Sequence, residues 1–262
     1  MSIVFSAIVP HPAILVPQIG KENIIKLAET GEAFEKLADD LAASQADTIL
    51  IISPHGINQS ETFTMNLNPQ FTADLEAFGD FSDKQKWNGH IGLAYKIREQ
   101  LETKAPLQLV SEENLDYGSA IPLIMLTKKI SSIKIIPLYY SGLPYESHFK
   151  FGQLLNRELL ISRDNIAIIA SGDLSHRVTK DAPAGYSPKG RRFDKKLTDL
   201  LLKNKSQDIL NLDPQMVAEA GECGLRSILI LLGIMDGMKH SPQLLSYEAP
   251  FGVGYLVMQF KL

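Results

Sequence analysis

Three histidines follow three short apolar segments, and histidine is the side chain best suited to bind a metal or move a proton near neutral pH. The segments are Ile3–Pro10, Thr48–Pro54 and Ile166–Ser171, and the histidines that follow them are His11, His55 and His176. Apolar runs of this length are typical of buried strands. Because ligands bind beyond the carboxyl ends of parallel strands in α/β sheets, we expect the three imidazoles to gather at one edge of one sheet.

Two of these histidines stand on turns that proline restrains. Pro10 and Pro12 flank His11. Pro54 directly precedes His55. Proline fixes φ and disfavours helix in the residue before it, so both imidazoles start from restrained backbone. Imidazole suits iron, zinc and copper, and we therefore interpret both histidines as metal ligands rather than as strand ends bonded to the backbone.

A carboxylate is the expected third ligand if the metal is ferrous iron, because two histidines and one carboxylate leave positions open for substrate and oxygen. Glu219 and Glu222 lie at the start of an apolar segment that predicts a helix over residues 221–237, where the helix dipole alone also favours a carboxylate. Glycines on both sides of Glu222 allow close backbone approach, which favours Glu222. Cys223 could instead bind a softer metal, although a lone cysteine beside an apolar helix is more often a small buried residue.

The third histidine belongs to the segment SGDLSHR at residues 171–177. Glycine and a polar turn would project His176 over the sheet edge, where a general base could meet a substrate. Asp173 could orient or charge-stabilise that imidazole. The alternative is that Asp173 caps a helix and His176 is an ordinary surface residue.

Composition points to a single α/β domain over residues 1–262 that acts on small molecules. The chain has 262 residues, of which 45% are hydrophobic, enough for one large core. Its net charge of −4 provides no basic field for nucleic acid or anionic lipid. One cysteine excludes an intrachain disulfide, and we find neither a cationic signal region nor a membrane-length apolar segment, so we expect a soluble cytoplasmic protein.

Helical and strand patterns alternate along the chain and predict a three-layer αβα fold, with a mainly parallel central sheet and antiparallel edge strands. Helices are predicted over residues 22–44, 90–101, 120–129, 145–160, 188–203 and 221–237. Further strands are predicted over residues 61–67, 107–110, 134–140, 243–246 and 254–260. The alternating pattern of 61–67 predicts a half-exposed peripheral strand, and residues 71–88 are expected to be polar and irregular.

These motifs resemble the class III extradiol ring-cleaving dioxygenases of the LigB type. The resemblance rests on His-Pro after the first strand, Ser-Pro-His-Gly after the second, Gly-Asp-Leu-Ser-His-Arg in the middle of the chain and the late glutamate. The Glu-Cys-Gly segment at 222–224 and the stretch YEAPFGVGY at 247–255 look closest to a branch related to the Memo-like proteins. The likeness spans nearly the whole chain.

The resemblance implies an extradiol dioxygenase that uses Fe(II), an aromatic diol and dioxygen. His11, His55 and Glu222 would bind the iron, and His176 would be the acid/base. Two alternatives stay open: a zinc-dependent hydrolase with the same ligands, and a Memo-like metal-binding or interaction protein without ring cleavage. By analogy with the family, a homodimer or a small accessory subunit covering the site is also expected.

One turn departs from the family pattern. Ring-cleaving members often carry Asp-His-Gly in the middle of the sequence, where this chain has Asp116-Tyr117-Gly118. A tyrosine can donate a hydrogen bond, but it does not duplicate the protonation chemistry of an imidazole. Tyr117 therefore joins His176 and Asp173 as a catalytic candidate, and its presence bears on both the substrate and the activity.

Overall fold

One sheet of eleven strands organises the protein, whose computed structural model describes residues 2–262. The strands are β1 (Ile3–Val9), β2 (Thr48–Ser53), β3 (Phe63–Asn66), β4 (Gln70–Ala73), β5 (Lys86–Gly89), β6 (Leu107–Val110), β7 (Asn114–Leu115), β8 (Lys134–Tyr139), β9 (Ile166–Ser171), β10 (Ser241–Glu248) and β11 (Tyr255–Lys261). Their order across the sheet is β10-β11-β1-β9-β2-β8-β5-β4-β7, and β3 pairs with β8 and β6 beside this path.

The centre of the sheet is parallel and fully covered. β9 lies between β1 and β2, β8 follows β2, and all four strands run in the same direction. Every residue of β2 and β9 is buried. Their sequences are continuous apolar runs, as strands covered on both faces require. β11 and β10 extend the sheet beyond β1 as antiparallel strands, which confirms the prediction for this edge.

Helices cover both faces of the sheet. They are α1 (Pro17–Gly20), α2 (Ala28–Ala43), α3 (Ile91–Leu101), α4 (Tyr117–Leu126), α5 (Tyr145–Leu160), α6 (Pro188–Leu202), α7 (Ser206–Leu210), α8 (Pro214–Ala220) and α9 (Leu225–Ile234). α2 and α4 pack on one face, and α3, α5, α6 and α9 pack on the other, which confirms the predicted three-layer fold. Within residues 2–262, no helix combines the length and apolar character needed to cross a membrane.

Most predicted helices are present, with shifted ends. The helices predicted at 90–101, 145–160 and 188–203 coincide with α3, α5 and α6 to within one residue. The helix predicted over 22–44 begins as a 3-10 helix at Lys21–Leu27 before it continues as α2. The helix predicted over 221–237 is α9, which begins only at Leu225. Residues 221–224 are therefore a loop, which carries Glu222 and Cys223, whereas Glu219 lies in α8.

The prediction of a half-exposed strand over 61–67 is wrong. All four residues of β3 are buried, because β3 lies between β8 and β6. The polar residues that made the pattern alternate have internal partners. Thr64 accepts a hydrogen bond from the Gln108 side chain, and Asn66 exchanges two hydrogen bonds with the backbone of Glu112. Satisfied polar groups can be buried at little cost, so the alternation does not report exposure here.

The prediction that residues 71–88 are irregular is also wrong in part. β4 and β5 lie there as an antiparallel pair. Phe71 and Trp87 are buried, and the Trp87 indole N–H donates to Thr127. The strands are four residues long and carry polar neighbours, so their pattern is too short to identify from sequence.

α9 lies unusually close to α5, and two glycines make this possible. A Cβ at Gly152 of α5 would collide with the backbone carbonyl of Ile230, and a Cβ at Gly233 of α9 would collide with that of Phe149. No residue with a side chain fits at either position without moving a helix. The contact fixes the position of α9 relative to α5. It therefore also fixes the position of the loop at 221–224, which leads into α9.

We expect the substitution Gly152→Ala to lower the free energy of unfolding by about 1–3 kcal/mol, because the added methyl group forces α5 and α9 apart. Chemical denaturation of the purified variant measures the effect. Gly31→Ala in α2 is the matched control, since a Cβ there meets no atom within 4 Å. This control should be neutral or stabilising by about 0.5–1 kcal/mol, and an equal loss in both variants would contradict the packing argument.

Candidate metal centre

The carboxyl edge of the central sheet brings the three histidine-bearing loops together. His11 follows β1, His55 follows β2, and Asp173 and His176 follow β9, which lies between these two strands. The loop at 221–224 meets this edge from the side of α9. Adjacent parallel strands end at a common edge, so side chains far apart in sequence become neighbours.

Within residues 2–262, one group of three side chains has ligand atoms close enough together to hold a metal ion. It consists of His11, His55 and Cys223. The Nε2 atoms of His11 and His55 are 3.0 Å apart, and the Cys223 sulfur is 3.8 Å from Nε2 of His11. The three ligand atoms lie within 4.8 Å of one another. Two imidazoles that share a metal at about 2.0–2.1 Å per bond have their nitrogens no more than about 4.2 Å apart. The donor set therefore fits a metal ion.

The hydrogen bonds around His11 present its Nε2 lone pair to this group. The Ser171 hydroxyl donates to the carbonyl oxygen of Gly118 at 2.6 Å. Because the only proton of this hydroxyl is used in that hydrogen bond, its oxygen accepts from Nδ1–H of His11 at 3.0 Å. The proton therefore resides on Nδ1 and Nε2 is free. A second hydrogen bond that fixes the tautomer is typical of histidines that bind metals.

Burial keeps both histidines neutral, which metal binding requires. Burial lowers the pKa of His11, whose side chain is 2% exposed. Burial, followed by the proximity of His11, lowers the pKa of His55 to about 3. Neither imidazole is a cation at neutral pH, so a metal meets no charge repulsion from them.

Cys223 reaches His11 because its loop interlocks with the loop after β9. The backbone N–H groups of Cys223 and Gly224 donate to the carbonyl of Asp173 at 3.3 and 3.0 Å, and the Asp173 N–H points back at the Cys223 sulfur at 3.3 Å. A Cβ at Gly172 would collide with Cα of Gly224. The two backbones touch, and this contact places the sulfur beside the imidazole.

The structure does not bring the two glutamates into this group. Glu222 Oε2 accepts from the backbone N–H of Leu225 at 2.5 Å, at the start of α9. Burial raises the pKa of Glu222 to about 7. Glu219 is paired with Lys189 at 2.9 Å on the surface. Glu222 as a metal ligand stays a prediction.

His176 is partly exposed, with 26% of its side chain accessible to solvent. Its Nδ1–H donates to the carbonyl of Gly221 at 2.6 Å, which leaves Nε2 free. Asp173 stands between two imidazoles: its Oδ2 is 3.9 Å from Nε2 of His176 and 3.6 Å from Nε2 of His11, and its Oδ1 accepts from the backbone N–H of His11. No helix begins at Asp173, so its carboxylate does not cap one, and its role in orienting the histidines stays a prediction.

Tyr117 closes the site from the side of α4. Its ring stacks on His55 with centroids 4.3 Å apart and presents an edge to His11 at 5.5 Å. Burial raises the pKa of Tyr117 to about 12, so the phenol keeps its proton. Asp116 caps α4 by accepting from Ser119 at 3.0 Å and also accepts from Ser53, which ties the helix to the end of β2.

Sequence analysis missed Asp194, which supports the loop that carries His176. Its Oδ1 accepts from the backbone N–H of Ser175 at 2.8 Å, and its Oδ2 accepts from the Tyr247 hydroxyl at 2.6 Å. Asp194 lies on the buried face of α6 with Phe193 and Leu197. The sequence around Asp194, KGRRFDKK, is mostly charged. The helical spacing of Phe193 and Leu197 within and after it could have indicated that Asp194 lies on the buried face of α6.

Comparisons with known proteins bear on the family of this chain. Residues 6–258 match the family model described as the catalytic LigB subunit of aromatic ring-opening dioxygenase. The chain is 32% identical over 272 residues to protein CA_C1420 of Clostridium acetobutylicum; the match covers 97% of this chain but only 56% of that relative, so the chain spans little more than half of its length. It is 22% identical over 227 residues to the 3,4-dihydroxyphenylacetate 2,3-dioxygenase of Escherichia coli, covering 78% of this chain and 79% of that enzyme.

A solved structure supports the fold alone. The uncharacterized protein JW3007 of Escherichia coli K12 matches with a TM-score of 0.70, over 98% of this chain and 99% of that one. The sequence identity is 17%. The two chains therefore share the arrangement of strands and helices, and the chemistry of this site has to be argued from its own residues.

We expect Asp194 to contribute less stability to the metal-free protein as pH rises from about 4 to about 7, opposite to the contribution of the buried histidines His11, His55 and His148, whose pKa values are lowered. Burial raises the pKa of Asp194 from 3.8 to about 7, so the folded chain keeps a proton that the unfolded chain releases. The contribution is complete below the unfolded pKa and is lost as pH passes the folded pKa. Urea unfolding at about pH 5 and pH 8 should show that the free energy of unfolding at pH 8 minus that at pH 5 is more positive in Asp194→Asn than in wild type, because the variant lacks the contribution that is lost at high pH.

The control for this prediction is Asp199→Asn, an exposed carboxylate on the same helix. It should retain the full pH difference of the wild-type protein. An Asp194→Asn variant with the same pH difference as the wild type would contradict the assignment.

Proposed function

The chain belongs to the LigB family of aromatic ring-opening dioxygenases, and on this premise we propose that it cleaves a catechol-like ring with dioxygen at a metal held by His11 and His55. The observation that supports the proposal most is the approach of two neutral imidazole Nε2 atoms to 3.0 Å beside an accessible third histidine. A metal needs converging lone pairs, and ring cleavage also needs a group that moves the proton of a hydroxyl.

The proposed metal is Fe(II), which supplies electrons for dioxygen chemistry and lowers the pKa of a bound hydroxyl. Nε2 of His176 accepts a proton from the diol and returns it to oxygen later in the reaction. The Gly221 carbonyl holds the imidazole in the required tautomer, and Asp173 stabilises its cationic form. Tyr117 lines the site and donates a hydrogen bond. It acts as a donor because a phenol with a pKa of about 12 does not release its proton.

Two residues compete for the third ligand position. The resemblance favours Glu222, which would complete the two-histidine, one-carboxylate set of ferrous oxygenases. The distances favour Cys223, because its sulfur lies with the imidazoles whereas the Glu222 carboxylate accepts from the α9 backbone. We propose Cys223 as the third ligand on this ground.

A sulfur ligand supports a second candidate function. Thiolate with two imidazoles is a set that zinc accepts while keeping a fourth position open for water or substrate. Such a site suits a Memo-like metal-binding protein without ring cleavage, or a zinc-dependent hydrolase. The position of the Cys223 sulfur beside the two imidazoles is the specific observation that favours this candidate function. The identity of the bound metal distinguishes it from the ring-cleaving dioxygenase.

We expect Cys223→Ser to weaken zinc binding by at least about 10-fold, because a hydroxyl replaces the thiolate. Competition with a chromophoric chelator gives the affinity, and elemental analysis gives the stoichiometry. Glu222→Gln should bind zinc within about threefold of wild type, like the exposed control Glu219→Gln. The opposite pattern, with loss in Glu222→Gln only, would assign the position to the carboxylate.

We expect protein loaded anaerobically with Fe(II) to consume dioxygen when given catechols, including 3,4-dihydroxyphenylacetate. His176→Gln should lower the rate by about 10²- to 10⁴-fold with unchanged iron content, because general acid/base catalysis is lost. His240→Gln, remote from the metal centre beside Phe260, is the control. If no catechol drives oxygen uptake in wild type while metal is bound, the ring-cleavage proposal fails and the second candidate stands.

A further inference from the structure

We infer that a cavity at the amino edge of the central sheet binds a small organic anion with an apolar body. The cavity has a volume of about 520 Å³ and lies between α3 and the segment at 158–164, which ends α5 and leads to β9. Small-molecule sites in proteins are concave, enclose about 300–1,000 Å³ and combine apolar walls with a few polar groups. The α3–α5 cavity, as we call it, has this size and both kinds of lining.

The α3–α5 cavity and the candidate metal centre lie at opposite ends of β9. Asp164 lines the cavity two residues before this strand, and Asp173 approaches His11 two residues after it. β9 has six residues, so at about 3.3 Å per residue it separates the two places by about 20 Å. No residue that lines the cavity belongs to the candidate metal centre. A ligand in the cavity is therefore distinct from the substrate of the metal centre.

Apolar side chains form one wall and part of the rim of the cavity. Leu93 and Ile97 line it from α3, and both are buried. Ile161 lines it from the end of α5, and 77% of this residue is exposed. Ile91 and Leu160, next to lining residues in the sequence, are also exposed. Exposed apolar residues grouped around a concave surface are typical of a site that receives an apolar ligand.

The Asp164 carboxylate in this cavity already has hydrogen-bond donors from the protein. Its Oδ2 accepts from the Ser162 hydroxyl at 2.6 Å, and its Oδ1 lies 3.2 Å from Nε2 of His90. Because Nδ1 of His90 accepts from the backbone N–H of Leu93, the imidazole proton is on Nε2 and is donated to Asp164. The hydrogen bonds from Ser162 and His90 lower the pKa of Asp164. Neither Asp164 nor His90 therefore needs a ligand to satisfy its hydrogen bonds.

Two cations that line the cavity have no ion-pair partner within residues 2–262. Lys96 lies on α3 and Arg163 lies in the loop before β9, and neither takes part in an ion pair within 4.0 Å. Lys134, at the start of β8, is close enough to help lower the pKa of Asp164. Glu158 is the other carboxylate of the lining. The cations therefore outnumber the carboxylates at this cavity.

An organic anion is the ligand that matches these features. The planar fork of the Arg163 guanidinium pairs with a carboxylate or phosphate by two parallel hydrogen bonds, and the Lys96 ammonium adds a point charge. Gly92, the second residue of α3, has open space where a Cβ would lie, so a ligand can also approach the positive end of this helix. The apolar body of the ligand would contact Leu93 and Ile161. Carboxylate and phosphate share this chemistry, and the experiment distinguishes them.

Three probes with the same eight-carbon chain test the inference: octanoate, octyl phosphate and 1-octanol. Their binding is followed in ¹⁵N–¹H spectra of the purified full-length chain. At least one of the two anions should shift the backbone resonances of Gly92 and Ser162 and bind at least about 10-fold more tightly than 1-octanol, the scale of a charge-assisted hydrogen bond. The tighter anion identifies the head group. Equal affinities of all three probes would overturn the inference, because the cations would then contribute nothing.

One variant fills the cavity and a second removes its cations. Gly92→Phe should weaken the tighter anion by at least about 10-fold, because its ring occupies the open space at the start of α3. Gly31→Phe in α2, where a Cβ also meets no atom within 4 Å, is the matched control and should bind like wild type. Lys96→Gln combined with Arg163→Gln should bring the affinity for the anion within about twofold of that for 1-octanol.

The matched control for the charges is Arg192→Gln combined with Lys196→Gln, two exposed cations on α6. This control should keep the preference of wild type for the anion. Unchanged anion affinity in both cavity variants would overturn the inference. Shifts confined to the loop at 221–224, with none at Gly92 or Ser162, would also overturn it, because they would assign the anion to the metal centre.

Discussion

The contact between the loop after β9 and the loop before α9 is the constraint on which the candidate metal centre depends. The backbones touch at Gly172 and Gly224: a Cβ at Gly172 would collide with Cα of Gly224, and a Cβ at Gly224 would lie 3.0 Å from the Asp173 carbonyl oxygen. The carbonyl of Asp173 accepts two backbone hydrogen bonds across this contact. One interlock therefore sets the position of the Cys223 sulfur and the direction of the Asp173 side chain. The close contact between α5 and α9 at Gly152 and Gly233 also stabilises this arrangement. It fixes the position of α9, the helix into which the loop at 221–224 leads.

Hydrogen bonds that lead to backbone carbonyls set the tautomers of His11 and His176. The Ser171 hydroxyl donates its hydrogen bond to the Gly118 carbonyl and therefore accepts from His11, which assigns the His11 proton to Nδ1. The Gly221 carbonyl does the same for His176 directly. Both rings present a bare Nε2, yet one is buried beside another imidazole and the other is accessible to a ligand. The same tautomer would serve the proposed metal binding in the first case and the proposed proton transfer in the second, because the surroundings differ.

The parts of the fold that could be predicted have strong and uninterrupted patterns. β2 and β9 are continuous apolar runs, and α5 and α6 keep a helical period over about four turns. The parts that could not be predicted depend on partners distant in sequence. β3 is buried because β6 and the backbone near Glu112 satisfy its polar side chains. β4 and β5 are too short to carry a period, and they exist because they pair with each other and with their neighbours in the sheet.

The sequence by itself determined the fold class, the family and the gathering of His11, His55 and His176 at one edge, because buried strands and the turns that follow them are local patterns. Proline and glycine beside the histidines are likewise local signals. Only the tertiary structure decided which late residue approaches the imidazoles. Glu222 and Cys223 are adjacent in the chain, and their side chains leave a loop in different directions. That choice follows from the start of α9 at Leu225 and from a glycine contact across 52 residues of sequence, from 172 to 224. No local pattern encodes a contact of that kind.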